Sequence, residues 1–465
     1  LNESIVSGDT NIVTTSNRSE ILGKDINVDN CEDSIIIGNA HDIDDISRCA
    51  VFGDTNTVSG LTVNSVIGGK NNTEGTKSGN NITSGALNEI NDSSNNMTSG
   101  VFNRMTDVSG GIVGGHNNQL TNLENSLIIG KDSVVSNSKR VLVYGSGHQV
   151  IKSTLKDATR NSLIGGRANI DSGGNSNTVF GFNNNLTDVS NVLVNGMNNV
   201  LSSDSQSIIL GDGNTSISTV NGITIGKSNA TKNITTSVVS GTSLDVSVNT
   251  VNSIVVGNLN KEKTGINNAT FGMSNTGITN TNTIVSGKNN VNTSNTESGI
   301  IGTSNQTNSN VNSLLVGNSN TISNNTQVIV TGSNHTTVTN NSDTVVSGLN
   351  NISKTNKNSL LIGTQQNTDT NDNIFVGGNL NTVKTTDDTI ISGKQNIIEN
   401  VKESSIIGSY NDVSGNTQYS MTIGQSNKNF NNNNALLSGK SNIVKDTTTT
   451  TVFGESNDVS GNTTH

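Results

Sequence analysis

The chain has 465 residues, of which 29% are hydrophobic and 2% aromatic, with no proline and no tryptophan. That excludes a wide globular core, because large rings normally supply such volume. The formal net charge of −10 comes without any long basic stripe, which argues against nucleic acid as a partner.

Glycines set the period. The interval from Gly8 to Gly23 is 23 − 8 = 15 residues, and the same step carries on through Gly38 and Gly53. A few steps are 16 (257 − 241); one is 17, from Gly68 to Gly85, and one is 20, from Gly145 to Gly165. Apolar residues at a fixed period, with charged residues at only 13%, separate this chain from a disordered one. No other break appears, so residues 1–465 read as a single continuous repeat domain with a coil insertion near 146–162.

Each glycine closes a short apolar run: Ile35-Ile36-Ile37-Gly38, Leu127-Ile128-Ile129-Gly130, Ile254-Val255-Val256-Gly257, Leu314-Leu315-Val316-Gly317. Such runs, bounded by turn residues, predict strands rather than helices. After the glycine an aliphatic residue recurs at Val13, Val28, Ile43, Ile90, Leu120, Ile322, Val383 and Val444, which predicts a second, weaker strand. The expected fold is all-β: a parallel β-solenoid of about thirty 15-residue coils, with two short strands per coil. Stacked in one column at about 4.8 Å, the coils would make a rod on the order of 140 Å.

Asparagine stands three residues after most of these glycines. Asn56, Asn71, Asn290, Asn305, Asn320, Asn442 and Asn457 are read as a structural ladder, because asparagine accepts left-handed turns and its amide stacks along a column. The longest interval carries His148, Lys152, Lys156 and Arg160, and an inserted loop on a solenoid is the candidate binding contact. No catalytic constellation, metal-ligand spacing or cofactor motif stands out, so a non-enzymatic protein without metal or cofactor is expected. Cys31 and Cys49 lie one coil plus three residues apart, and the spacing leaves a disulfide and two thiols equally open. Asn-x-Ser/Thr sequons occur at Asn17, Asn81, Asn185, Asn233 and Asn334, meaningful only where the source glycosylates. No apolar run is long enough to span a membrane, and the opening Ile5-Val6-Ser7-Gly8 starts in mid-repeat without a signal peptide. A segment of something longer, or a mature form, is therefore expected.

The phrases Ser34-Ile35-Ile36-Ile37-Gly38, Ser126-Leu127-Ile128-Ile129-Gly130 and Ser253-Ile254-Val255-Val256-Gly257 resemble the YadA-like head repeats of trimeric autotransporter adhesins. The resemblance covers nearly the whole chain. It implies a left-handed β-roll, a homotrimer or higher fibre, an extracellular cell-surface location and attachment to a protein or glycan ligand. The family's usual alanines are replaced by Ser, Thr and Asn, and no coiled-coil stalk, neck or anchor follows. Two further readings stand beside it: a viral or extracellular structural filament or spacer, on a virion or filament surface, and an ice-binding β-solenoid.

Overall fold

A computed structural model of the chain describes residues 3–461, apart from 44–45, 61, 76–78, 93, 108, 122–124, 137–139, 152–161 and 174. Every element among the described residues is a strand, and the strands pair in parallel from coil to coil, forming a β-solenoid. Backbone proximity divides the chain into two compact units, Leu1–Asn233 and Ile234–His465.

One coil of the second unit shows the plan. Strand Leu314–Asn318 pairs with Gly299–Thr303 on one side and Ile329–Ser333 on the other, with Gly317 opposite Gly302 and Gly332. Period-two alternation turns Leu315 inward and leaves Leu314 exposed. Ser319 then turns the chain at φ 55°, and Asn320 points inward. Strand Thr321–Ser323 follows, with Ile322 buried. A second turn at Asn324 (φ 54°) brings in Asn325, and a third at Gln327 (φ 58°) brings in Val328. Between them Thr326 bridges to Val311 and Ser342 of the adjacent coils. The coil thus has three left-handed corners and a short third side, beyond the two strands expected of it. Left-handed backbone disfavours most side chains, and Asn, Asp, Ser and Thr fill many of these corners because short polar groups bond back to nearby backbone.

The first unit repeats this plan. Its glycine-bearing strands, the longer ones in most coils, run from Ile5–Asp9 to Ile223–Lys227, and the second strands run from Ile12–Asn17 to Thr215–Ile217, six residues long at Ile12–Asn17 and Asn27–Glu32 and mostly two or three thereafter. Here the structure corrects the glycine register. Gly69, not Gly68, lies opposite Gly53 and Gly85, so the steps are 69 − 53 = 16 and 85 − 69 = 16. Gly166, not Gly165, lies opposite Gly145 and Gly181. Accordingly Ile67, rather than Val66, is the inward residue of its strand. The glycine's role also differs from the turn expected of it. It sits inside the strand, where a Cβ on Gly317 would collide with the carbonyl oxygen of Gly332 in the next coil.

The core is narrow and partly polar. Each coil contributes the residue two before the glycine and the residue five after it, as in Leu315 with Ile322 or Ile391 with Ile398. In several coils one of these positions is polar: Asn292, Thr307, Ser353 and Thr368 are all buried. Burying a polar group is tolerable only with a partner, and these have one. Asn295 Nδ2 donates to Thr307 Oγ1 at 2.8 Å, and Asn356 Nδ2 donates to Thr368 Oγ1 at 2.9 Å.

Candidate functional site

The asparagine ladder is a column of amides directly inside the first corner. Asn305 Nδ2 donates to Asn290 Oδ1 in the coil before (3.1 Å) and to the Gly317 carbonyl in the coil after (3.0 Å). Asn320 repeats this on Asn305 and Gly332. Asn442 and Asn457 continue the pattern near the C-terminal end, and in the first unit Asn56 holds the equivalent position, accepting from the Asn72 backbone amide at 3.0 Å. Asn71 is not a rung. It is the left-handed corner residue (φ 54°), and its neighbour Asn72 is the buried one. The error follows directly from placing the coil glycine at Gly68.

Three histidines occupy the equivalent position of their coils, two in the first unit and one in the second. His41, His148 and His335 are all buried. The contacts of His335 explain the exchange: Nε2 lies 3.0 Å from the Thr331 carbonyl, and the Asn351 backbone amide donates to Nδ1 at 3.0 Å. Those contacts require the neutral tautomer with its proton on Nε2, which offers one donor and one acceptor and so reproduces an asparagine rung with one donor fewer. Burial lowers the pKa of all three rings, against smaller raising contributions from backbone contacts. His148 was expected on a binding loop; it stands inside the coil instead, with Nε2 3.0 Å from the Tyr144 carbonyl. Lys152, Lys156 and Arg160 lie outside the described residues. The insertion leaves the pairing around it intact, for Leu142–Ser146 pairs directly with Leu163–Arg167.

A second amide column inside the second corner was missed by the sequence reading. In the second unit Asn310, Asn325, Asn341, Asn356 and Asn371 link in succession, at 2.9 Å between Asn325 and Asn310 and 2.7 Å between Asn371 and Asn356. Its signal was asparagine eight residues after the glycine, blurred elsewhere by replacements such as Cys31 and Asp204. Cys49 occupies the third inward column, so the two thiols belong to different corners, and no disulfide joins them. Burial pushes the Cys49 thiol up to about 11.

Buried carboxyls punctuate the core. Glu74 accepts from Ser65 Oγ at 2.9 Å and Asn81 Nδ2 at 3.0 Å. Glu262 accepts from Asn268 at 2.8 Å and Thr270 at 3.0 Å. Burial raises both, and raises Asp204 to about 6. These groups are spread over different coils. Among the described residues no His, Cys, Asp and Glu side chains gather in a group that could hold a metal ion.

The outside of the longer strands is apolar to an unusual degree. Three residues before the glycine stand Ile254, Ile284, Leu314, Ile329 and Ile390, each at least 39% exposed. One residue before it stand Phe271, Ile301, Ile362 and Ile407, interspersed with serines such as Ser286 and Ser392. Elsewhere in the second unit an open groove of about 560 Å³ runs from Asn340 to Asp387, floored by Asn356, Asn371 and Thr386 and edged by Lys357 and Asp372. Among the described residues no helix is long and apolar enough to cross a membrane. The chain matches no protein-family model, and no curated protein matches it.

Proposed function

We propose that the chain is a non-enzymatic attachment fibre displayed outside the cell, of the type of a trimeric adhesin head, with copies packed through the apolar faces of their longer strands. The observation that carries this reading is the exposed column of Ile254, Ile284, Leu314, Ile329 and Ile390. Strand register runs this face from Leu314 through Ile329, Val345, Leu360 and Phe375 to Ile390 without a polar break, and exposed apolar patches of this kind mark association. A coil that buries so few apolar side chains also gains from a partner. The open groove edged by Lys357, Asp372 and Asp387 is the surface offered to a protein or glycan ligand. Mixed Ile, Phe and Ser on the outer strand face give no single repeated residue type, which disfavours ice binding.

Light scattering on the purified chain tests the assembly. A trimer is expected, and Ile284→Asp with Ile329→Asp and Ile390→Asp should dissociate it while the far-ultraviolet β signal persists. A wild-type chain that is monomeric at all concentrations removes the trimeric reading. Binding to panels of matrix proteins and glycans tests attachment; an assembled chain that binds none of them is the spacer or structural filament instead.

A further inference from the structure

The sequons divide into two classes once the ladders are in place. Asn185, Asn233 and Asn334 are exposed at corners or strand ends, where a glycan would extend into solvent. Asn81, Asn96, Asn214, Asn229, Asn268, Asn292, Asn305 and Asn351 also begin Asn-x-Ser/Thr sequences, and every one is buried at no more than 4% exposure. Side-chain nitrogens among them are engaged inside the coil, in the first ladder for Asn214, Asn305 and Asn351 and on the buried carboxyls of Glu74 and Glu262 for Asn81 and Asn268. Asn214 Nδ2 donates to Asn199 Oδ1 and the Gly226 carbonyl, both at 3.0 Å. Asn305 Nδ2 is engaged with Asn290 and Gly317, and Asn351 Nδ2 with the Ser347 and Gly363 carbonyls at 2.9 and 3.0 Å.

An N-glycosidic bond replaces one hydrogen of that nitrogen with a sugar ring. At these positions it would remove a buried hydrogen bond and force a bulky polar group between coils packed without room for it. Transfer of oligosaccharide acts on the unfolded chain, before burial protects the asparagine. We propose that glycosylation of the buried sequons and the native fold are mutually exclusive, so that this chain folds only in a compartment where Asn-x-Ser/Thr is left unmodified. The proposal is independent of what the solenoid attaches to.

The test is translation of the full chain into microsomes, with the oligosaccharyltransferase active or blocked by an acceptor tripeptide. Site occupancy is read by mass spectrometry and folding by trypsin resistance. With the enzyme active, chains occupied at Asn214 or Asn305 should be degraded; with it blocked, a resistant product should appear. A variant carrying Thr83→Val, Thr98→Val, Ser216→Ala, Thr231→Val, Thr270→Val, Ser294→Ala, Thr307→Val and Ser353→Ala removes those sequons but keeps every buried asparagine. It should recover resistance in the active microsomes. Should it fail to fold even with the enzyme blocked, the wild-type pair alone decides. Resistant chains bearing glycan at a buried sequon overturn the proposal. So do resistant chains left bare there by an active enzyme, or a wild-type chain that remains sensitive when the enzyme is blocked.

Discussion

His335 illustrates how one ring can stand in for an amide. It keeps the column only while neutral, because protonated Nδ1 would face the Asn351 amide as donor against donor. Its folded pKa lies below the usual 6.5, since burial disfavours the cation. The unfolded chain therefore binds more protons below pH 6.5, and stability is lost as the pH falls through that value. His335→Asn restores the amide and removes this loss. Urea unfolding should show little difference at pH 8 and a gain for the variant at pH 5. That gain is at most about 2 kcal/mol, since each unit of pH costs about 1.4 kcal/mol per unmatched proton. Asp204 behaves in the opposite sense: with its carboxyl raised to about 6, its contribution weakens as pH rises from 3.8 toward 6. The ladder asparagines were legible because their spacing from the glycine is constant. The histidines were not, because nothing in sequence distinguishes a ring that replaces an amide from one on a loop.

At the scale of the strand, paired glycines were the obstacle. Gly68-Gly69 and Gly165-Gly166 each offer two registers one residue apart, and a slip of one residue turns the other side chains of a strand to the opposite face. Periodicity alone does not choose, at the first pair, between steps of 15 and 17 and steps of 16 and 16. The backbone does: Gly69 has φ 114°, and a Cβ there would meet the Gly85 carbonyl, whereas a Cβ on Gly68 has nothing nearer than the Thr83 carbonyl at 4.0 Å. Gly69→Ala should therefore cost several kcal/mol, on the order of 2–4, while Gly68→Ala should fall within about 1 kcal/mol of wild type, as thermal unfolding would read. Equal effects would restore the other register. The short third side of the coil was illegible for a simpler reason. In many coils it carries a single bridging residue, such as Thr326 or Lys357, too little for any alternation to show.

For the molecule as a whole, the all-β parallel solenoid was legible because repetition adds evidence that no single phrase supplies. Which face is bare was not, since Leu314, Leu315 and Val316 read alike until the pleat assigns them to outside and inside. What the coils enclose has its own consequence. Much of the interior is amide and hydroxyl: Asn305, Asn320, Asn325, Thr307 and Ser353 occupy places where most proteins keep aliphatic carbon. Water taken up by such groups on melting lowers the heat capacity, whereas water around hydrocarbon raises it. Scanning calorimetry should give a heat-capacity increment per residue below the ordinary 12–15 cal/mol/K or so, and hence a stability curve that is broad and flat with temperature. A solenoid stacked on amide columns would then change little in strength between a cold environment and a warm one.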